Sequence, residues 1–329
     1  MNIIDYNLVC DIIDIRKQKV VRMDGLMNYK KNYLCIIYIF MFLCIFSGCS
    51  VNSSSHGSEY PLTLNNVTFK KSPKRVVVLS DSLADIILTI SQEINLVGRS
   101  SECTQEELEV LPDVGSENSL DVEKIQSLFP DLILYNKNFS DETLNSLKKR
   151  LKKVDILVLP DAKTRTELVN LYSDLGSLFG GKCTGSKKSE KIVKKLIIDI
   201  DDLSRNVSLE NKHITVCYLF DENGAIATED TFLGKLMESI GCFNISGDAK
   251  NNFIDIENVI LSNPMFIFCD KGVEKKLRSN KKFWGLSAIS EHKIFELDKN
   301  TVGRQGKSLL KFVKFMHEKI YKKINIKMH

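Results

Sequence analysis

The stretch SKKSEKIVKKLIIDIDDLSRN, residues Ser186–Asn206, decides how the rest of the chain is read. Its apolar residues fall at Ile192, Val193, Leu196, Ile197, Ile200 and Leu203, the recurrence of a helix that buries one stripe. Lys187, Lys188, Lys191, Lys194 and Lys195 crowd the early turns, and Asp199, Asp201 and Asp202 follow. Thr184 or Ser186 can cap the start, and Asn206 can close the end. At about 1.5 Å per residue, some twenty residues make a rod of roughly 30 Å, the width of a small domain. The spacing therefore predicts one long helix acting as a spacer between two globular halves.

The flanks of this helix repeat one another. DVEKIQSLFPDLILY (Asp121–Tyr135) and DIENVILSNPMFIFC (Asp255–Cys269) both open on Asp, an apolar residue and Glu, and both place Pro nine residues after the Asp. A short apolar run follows each proline. Each copy predicts a short helix that stops before the proline and feeds a buried strand, Leu132–Tyr135 or Phe266–Cys269. One repeat on each side of a long helix predicts two similar α/β lobes.

Further strands are expected at Arg75–Leu79, Leu96–Gly98, Val154–Leu159, Ile214–Phe220 and Ile294–Leu297. Leu62–Phe69 reads as one alternating edge strand, and Val114–Ser116 as the end of another strand. Helices are expected from Ser80–Ser82 to Ile90, over Glu167–Phe179, over Thr228–Ile240 and over Gly306–Lys322.

Several phrases together resemble a known family. RVVVLSDSLADIILTIS, INLVGRSS, LPDVGS, DVEKIQSLFPDLILY and LGKLMESIGCFNI, in that order, look like the substrate-binding lipoproteins of ABC importers for ferric siderophores, haem and cobalamin. The resemblance runs from about Pro73 to the last helix. It implies an α/β fold of two Rossmann-like lobes joined by a single long backbone helix, with a small metal-chelate ligand in the cleft between them. The lobes would occupy 61–183 and 208–329, with the backbone helix at 184–207. It also implies a partner, the ABC permease dimer with its ATPase. In the family an acidic residue near the start of the helix after each repeat strand meets arginines of the permease. Glu142 and Glu274 hold those places here.

The N-terminal part reads as targeting rather than fold. Lys30 and Lys31 precede the apolar run Tyr33–Phe46, and Ser47-Gly48-Cys49 follows. A basic start, about fourteen apolar residues and small residues before a cleavage point describe a secretory signal, too short for a membrane span. Phe46-Ser47-Gly48-Cys49 resembles the bacterial lipobox, which implies cleavage before Cys49, lipid on its thiol and an extracytoplasmic place on the cell membrane. Residues 27–48 are thus expected to be the signal, 1–26 a translated leader outside the true start, and the Ser-rich segment 49–60 a flexible tether.

Composition narrows the function. The 329 residues suffice for two domains plus appendages, and the net charge of +4 is spread over mixed Lys, Glu and Asp. No basic footprint for nucleic acid exists, and a monomer is expected. Of nine cysteines, five follow Cys49 with no CxxC spacing, so neither a disulfide framework nor a zinc site is predicted. G-x-S-x-G, P-loop and G-x-G-x-x-G motifs are absent, so an enzyme is not expected.

In open α/β sheets ligands sit beyond the carboxyl ends of the strands. That rule selects Ser80, Asp81, Ser82, Arg99, Ser100, Glu102, Ser116, Tyr135, Lys137, Phe220, Asp270, Lys271 and Arg304 as cleft residues. Arg99 and Arg304 are the expected contacts to anionic or carbonyl groups. A haem would need an axial ligand, and Tyr135 is the residue so placed. The histidines are scattered, so no metal site built by the protein is expected. A ligand carrying its own chelation, a ferric siderophore or corrinoid, needs no cofactor from the chain.

Overall fold

The computed structural model describes residues 59–117, 119–136, 141–205 and 213–325. The leader, the signal segment, Cys49 and Lys137 lie outside the described residues. At the end of the expected tether, Glu59 and Tyr60 are pinned to the body. Glu59 Oε2 accepts the Cys183 amide at 2.8 Å, and Tyr60 Oη donates to the Leu178 carbonyl at 2.8 Å.

The first lobe opens with a hairpin, β1 (Leu62–Leu64) and β2 (Val67–Phe69). The expected single edge strand is therefore two. Asn65 and Asn66 both adopt positive φ between them, the conformation a two-residue hairpin turn demands and asparagine tolerates. The lobe continues through β3 (Val76–Val78), α1 (Asp81–Thr89), β4 (Leu96–Arg99), β5 (Gly115–Ser116), β6 (Ser119–Leu120), α2 (Val122–Ser127), β7 (Leu132–Tyr135), α3 (Asp141–Arg150), β8 (Asp155–Val158) and α4 (Arg165–Gly180). The strand expected to end at Ser116 is instead one arm of a small antiparallel ladder, β5 with β6, tied to β4 by a bridge between Arg99 and Asp113.

A π-helical turn, Gly181–Gly185, leads into α5, Ser186–Arg205. The second lobe contains β9 (Thr215–Leu219), α6 (Phe232–Glu238), β10 (Phe243–Asn244), α7 (Ile256–Ser262), β11 (Phe266–Asp270), α8 (Val273–Ser279), α9 (Ser287–Ser290), β12 (Ile294–Leu297), α10 (Lys299–Val302) and α11 (Lys307–Asn325). Helix α6 starts later than expected because Thr231, not Thr228, is its cap: Thr231 Oγ1 accepts the Gly234 amide.

The two lobes carry one topology. The sheets run β4-β3-β7-β8 and β10-β9-β11-β12, parallel throughout, so each has the order second, first, third, fourth. The sequence repeat falls at equivalent places. Asp121 and Asp255 cap α2 and α7, with side chains accepting from Lys124 N and Glu257 N. The residues before the prolines, Phe129 and Asn263, have φ of 47° and 42°. A following proline disfavours the right-handed helical region, so each chain leaves its helix at that residue and enters a strand.

Alternation divides the core. Val76, Val78, Leu132, Leu134, Val216, Tyr218, Phe266 and Phe268 belong to one cluster, which takes in Val193, Leu196 and Ile200 of α5 and Leu309, Val313 and Met316 of α11. The opposite faces of the sheets close two smaller clusters, one in each lobe. The long helix is therefore not a bare spacer. It runs back along α4, where Arg165 forks onto Asp201 with bonds of 2.9 and 2.6 Å, and one apolar core continues through it. A methyl group on Gly185 would stand 1.9 Å from the Gly176 carbonyl oxygen, so the close approach of α4 to the π-turn requires glycine.

Candidate functional site

The carboxyl ends of the two sheets face each other. Past β8, residues Pro160–Lys163 lie across a cavity of about 560 Å³ from Asp230–Phe232 and Asn251-Asn252 of the second lobe. At the other flank the loop after β4 meets the segment after β12. There Arg304 Nη2 donates to Thr104 Oγ1 at 2.7 Å, and Lys307 pairs with Glu107. The cleft predicted from strand order thus has walls from both lobes.

Its seam is built by residues 304–308. The Gln305 side chain pairs with Ala162 like one more backbone unit: Oε1 accepts the Ala162 amide at 2.9 Å and Nε2 donates to its carbonyl at 2.7 Å. Tyr172 Oη donates to the Gln305 carbonyl at 3.1 Å. Asp85, fully buried on α1, accepts from Gly306 N, Ser308 N and Ser308 Oγ at 2.8, 3.1 and 2.8 Å. The start of α11 is so close to α1 that a methyl on Gly306 would stand 2.2 Å from the Asp85 carbonyl oxygen.

The innermost charges are unbalanced. Arg304, 5% exposed, has Nε 3.8 Å from Asp81 Oδ2. Burial pushes the Asp81 carboxyl up to about 6; Arg304 opposes the rise, while Asp161 and Asp85 reinforce it. Asp161 is raised by burial, opposed first by Asn136, whose Nδ2 donates to Oδ2 at 2.8 Å, and by the nearby Ser82 hydroxyl. Within standard hydrogen-bond geometry, Ser82 Oγ, Asp161 Oδ1, Gln105 Oε1 and Arg304 Nε are buried and unpaired, two donors among them beside two acceptors. Such groups are costly in a closed core, and a cleft is where a ligand can satisfy them.

The expected site residues separate into groups. Asp81, Ser82 and Arg304 meet at the seam with Asp161 and Gln105. Ser80 is the cap of α1, accepting Leu83 N. Arg99 is spent on its own loop, donating to the Leu108 and Ser100 carbonyls at 3.0 and 3.2 Å, and pairs with Asp113 at 3.7 Å. Ser100 is fully buried against Cys103, and Tyr135, 3% exposed, packs in the outer core of the first lobe. The structure brings neither to the cleft. Glu102 accepts the Glu117 amide, and Ser116 pairs with Ser119 in the small ladder. Phe220 lies against Tyr218 with the two rings tilted by 55°; the Tyr218 hydroxyl donates to Asp270 at 2.7 Å, and Lys271 is exposed. Lys137 is outside the described residues.

Glu142 and Glu274 are each the second residue of the helix, α3 or α8, that follows β7 or β11, the third strand in chain order of its lobe's parallel sheet. Glu142 is exposed, whereas Glu274 is half-buried and paired with Arg278 at 2.8 Å. Asp85, Asp161, Gln105 and Gln305 were not expected from the sequence. Asp161 follows β8 and the strand-end rule could have found it; nothing local marks the other three. Among the described residues no group of three His, Cys, Asp or Glu side chains could hold a metal, and no helix is long and apolar enough to cross a membrane.

Comparison with known proteins gives a consistent result. The family described as periplasmic binding protein matches residues 76–301. An uncharacterised ABC transporter substrate-binding lipoprotein of Bacillus subtilis, YvrC, is 26% identical over 277 residues, covering 80% of this chain and 86% of that protein. The Fe(3+)-citrate-binding protein YfmC of the same organism is 22% identical over 299 residues, 83% of this chain and 92% of that one. Among solved structures, a possible iron-binding periplasmic solute-binding protein of Staphylococcus epidermidis superposes with a TM-score of 0.64 at 22% identity, over 76% of this chain and all of the other.

Proposed function

The chain belongs to the periplasmic binding protein family, and from that premise we propose that it is the solute-binding lipoprotein of an ABC importer. It captures an iron chelate or a corrinoid between its lobes and delivers it to the permease, which an ATPase drives. The observation that carries this reading is the cavity of about 560 Å³ lined by strand-end loops of both lobes. A ligand held there touches both halves, as recognition and release require. Membership in a binding-protein family supports capture and release without chemical turnover. The haem alternative loses its axial candidate, since Tyr135 lies in the core.

Lipid on Cys49 would hold the protein at the outer face of the cell membrane, because a diacylated cysteine carries the two chains stable anchoring needs. Glu142 and Glu274, one from each lobe at equivalent helix starts, would dock it on a two-fold permease.

The test is unfolding of the purified chain with a ferric trihydroxamate, ferric citrate, cobalamin and haem in turn. A bound ligand at a hundred times its Kd adds about 2.7 kcal/mol, a plain rise in melting temperature. No shift with any of the four, and no chelate carried through native purification, overturns the reading.

A further inference from the structure

The end of the first lobe opposite the cleft is basic and carries an exposed aromatic ring. Strands β3, β4, β7 and β8 are parallel, so the segments that feed them gather at one edge, the amino ends. Two of these segments, KKSPKR (70–75) and KRLKK (149–153), hold lysine and arginine as their only charged residues, every one exposed. Among the described residues, only Arg150 of these cations stands in an ion pair, with Glu123 at 3.1 Å. The carboxylates beside them are Asp131, which accepts the Lys74 and Arg75 amides at 2.7 and 3.0 Å, Asp155 at the start of β8 and Glu93 before β4. The second segment borders an open groove of about 420 Å³. It is lined by Phe129, Pro130, Leu151 and Val154, by the four cations of 149–153 and, among the described residues, by no carboxylate.

Phe129 is poorly suited to its place as a structural residue. It is 77% exposed, and its φ of 47° lies in the left-handed region that a bulky side chain rarely adopts. Arg75 holds the turn, its guanidinium donating to the Leu128 and Phe129 carbonyls at 2.6 and 3.0 Å. The equivalent residue in the second lobe is Asn263, a type that tolerates this conformation, and its Oδ1 accepts the Ser287 amide at 2.8 Å. Asparagine would serve the turn at least as well as phenylalanine, and strain of this kind persists where function needs the side chain.

The chain enters the body at this same end. Tyr60 Oη and Ser72 Oγ donate to the Leu178 and Phe179 carbonyls in the last turn of α4, at 2.8 and 3.0 Å, and Ser72 belongs to the first basic segment. Cys49 and Glu59 are ten residue steps apart, at most about 35 Å of extended chain. Lipid on Cys49 would hold this end that close to a bilayer, where even a weak surface contact forms at high effective concentration.

Resting on the anchor at Cys49 for its choice of partner, we propose that the amino end of the first-lobe sheet is a second membrane contact, made to an anionic bilayer. Lys149, Lys152 and Lys153 meet the headgroup phosphates, and Phe129 enters the boundary between headgroups and acyl chains. Lysines beside an exposed apolar tip bind such an interface twice over, by attraction to the charged leaflet and by apolar area removed from water. A soluble polyanion would gain from the lysines and nothing from the ring. The cleft, at the other end of the same strands, is then turned away from the surface.

The experiment sediments residues 49–329, with Cys49→Ser so that the chain carries no lipid, with vesicles containing phosphatidylglycerol and with vesicles of phosphatidylcholine alone. The chain binds the anionic vesicles at least about tenfold more tightly, and added salt weakens the binding. Phe129→Asn weakens it about tenfold and does not lower the melting temperature. Lys149→Gln with Lys152→Gln weakens it about twentyfold. Absence of binding, or equal binding to both vesicles, overturns the contact. Lost binding in the lysine variant with none lost in Phe129→Asn shows a site for any polyanion, and overturns it too. These results do not depend on acylation. The mass of the N-terminal peptide from membranes tests the anchor separately, and an unmodified Cys49 overturns that reading.

Discussion

The Asp85 carboxylate caps a helix that begins 222 residues later in the chain: Oδ1 accepts Ser308 Oγ at 2.8 Å, and Oδ2 accepts the Ser308 amide at 3.1 Å and the Gly306 amide at 2.8 Å. A helix N-terminus leaves amides unsatisfied and carries a partial positive charge, so a carboxylate from α1 answers both needs of α11. This contact ties the C-terminal helix to the first lobe.

Asp85→Asn should therefore destabilise the protein by about 2–4 kcal/mol, because the amide turns a donor toward donors inside a closed site. Urea unfolding measures the loss. A change below about 0.5 kcal/mol would show that the cap contributes nothing.

Asp81 gives a pH dependence whose sign is fixed. Its folded pKa of about 6 lies above the ordinary carboxylate range, and burial is the largest cause. The folded state therefore holds this proton longer than the unfolded state, and the stability linked to it is present at low pH and lost as pH rises to about 6. Arg304, Asp161 and Asp85 are the charged groups facing Asp81 and remain in place in Asp81→Asn, which should flatten the profile between pH 5 and 7, given the titration near about 6. An equally steep profile in that variant would assign the effect elsewhere.

The lobes should move little on ligand binding. A continuous helix resists bending, one core runs through it, and Gln305 locks Ala162 across 143 residues of chain with two hydrogen bonds. Small-angle scattering with and without ligand should give nearly the same radius of gyration. Gln305→Ala strands two buried backbone groups and should cost about 2–3 kcal/mol while widening the difference between the two profiles. A large closure in the wild-type chain would defeat the idea.

Permease docking predicts a separation of phenotypes. Glu142→Arg with Glu274→Arg should leave ligand affinity unchanged and abolish uptake in cells, since both residues lie at helix starts outside the cavity lining. The Glu274→Arg change also breaks the pair with Arg278, a half-buried i,i+4 contact of about 0.5 kcal/mol, too small to unfold the lobe. Normal uptake, or lost ligand binding, would reject docking through these residues.

The sequence by itself determined the parts that depend on local pattern. The apolar stripe of Ser186–Arg205 specified a helix, and Val193, Leu196 and Ile200 are its buried positions. The Asp-to-Pro repeat specified two caps and two strands at equivalent places, because capping, the pre-proline restriction and a short apolar run all act within about ten residues. Strand ends then brought Asp81, Ser82 and Arg304 into view. Tertiary structure alone decided what that helix packs against, since a stripe announces burial but not its partner. It decided that Tyr135 faces the core: a strand buried on both faces shows no polar alternation to tell one side from the other. It spent Arg99 on carbonyls of its own loop. Above all it made the cleft floor, because contacts such as Asp85 to Ser308 and Gln305 to Ala162 join residues 223 and 143 apart, and pairings at that distance leave no trace in the neighbouring sequence.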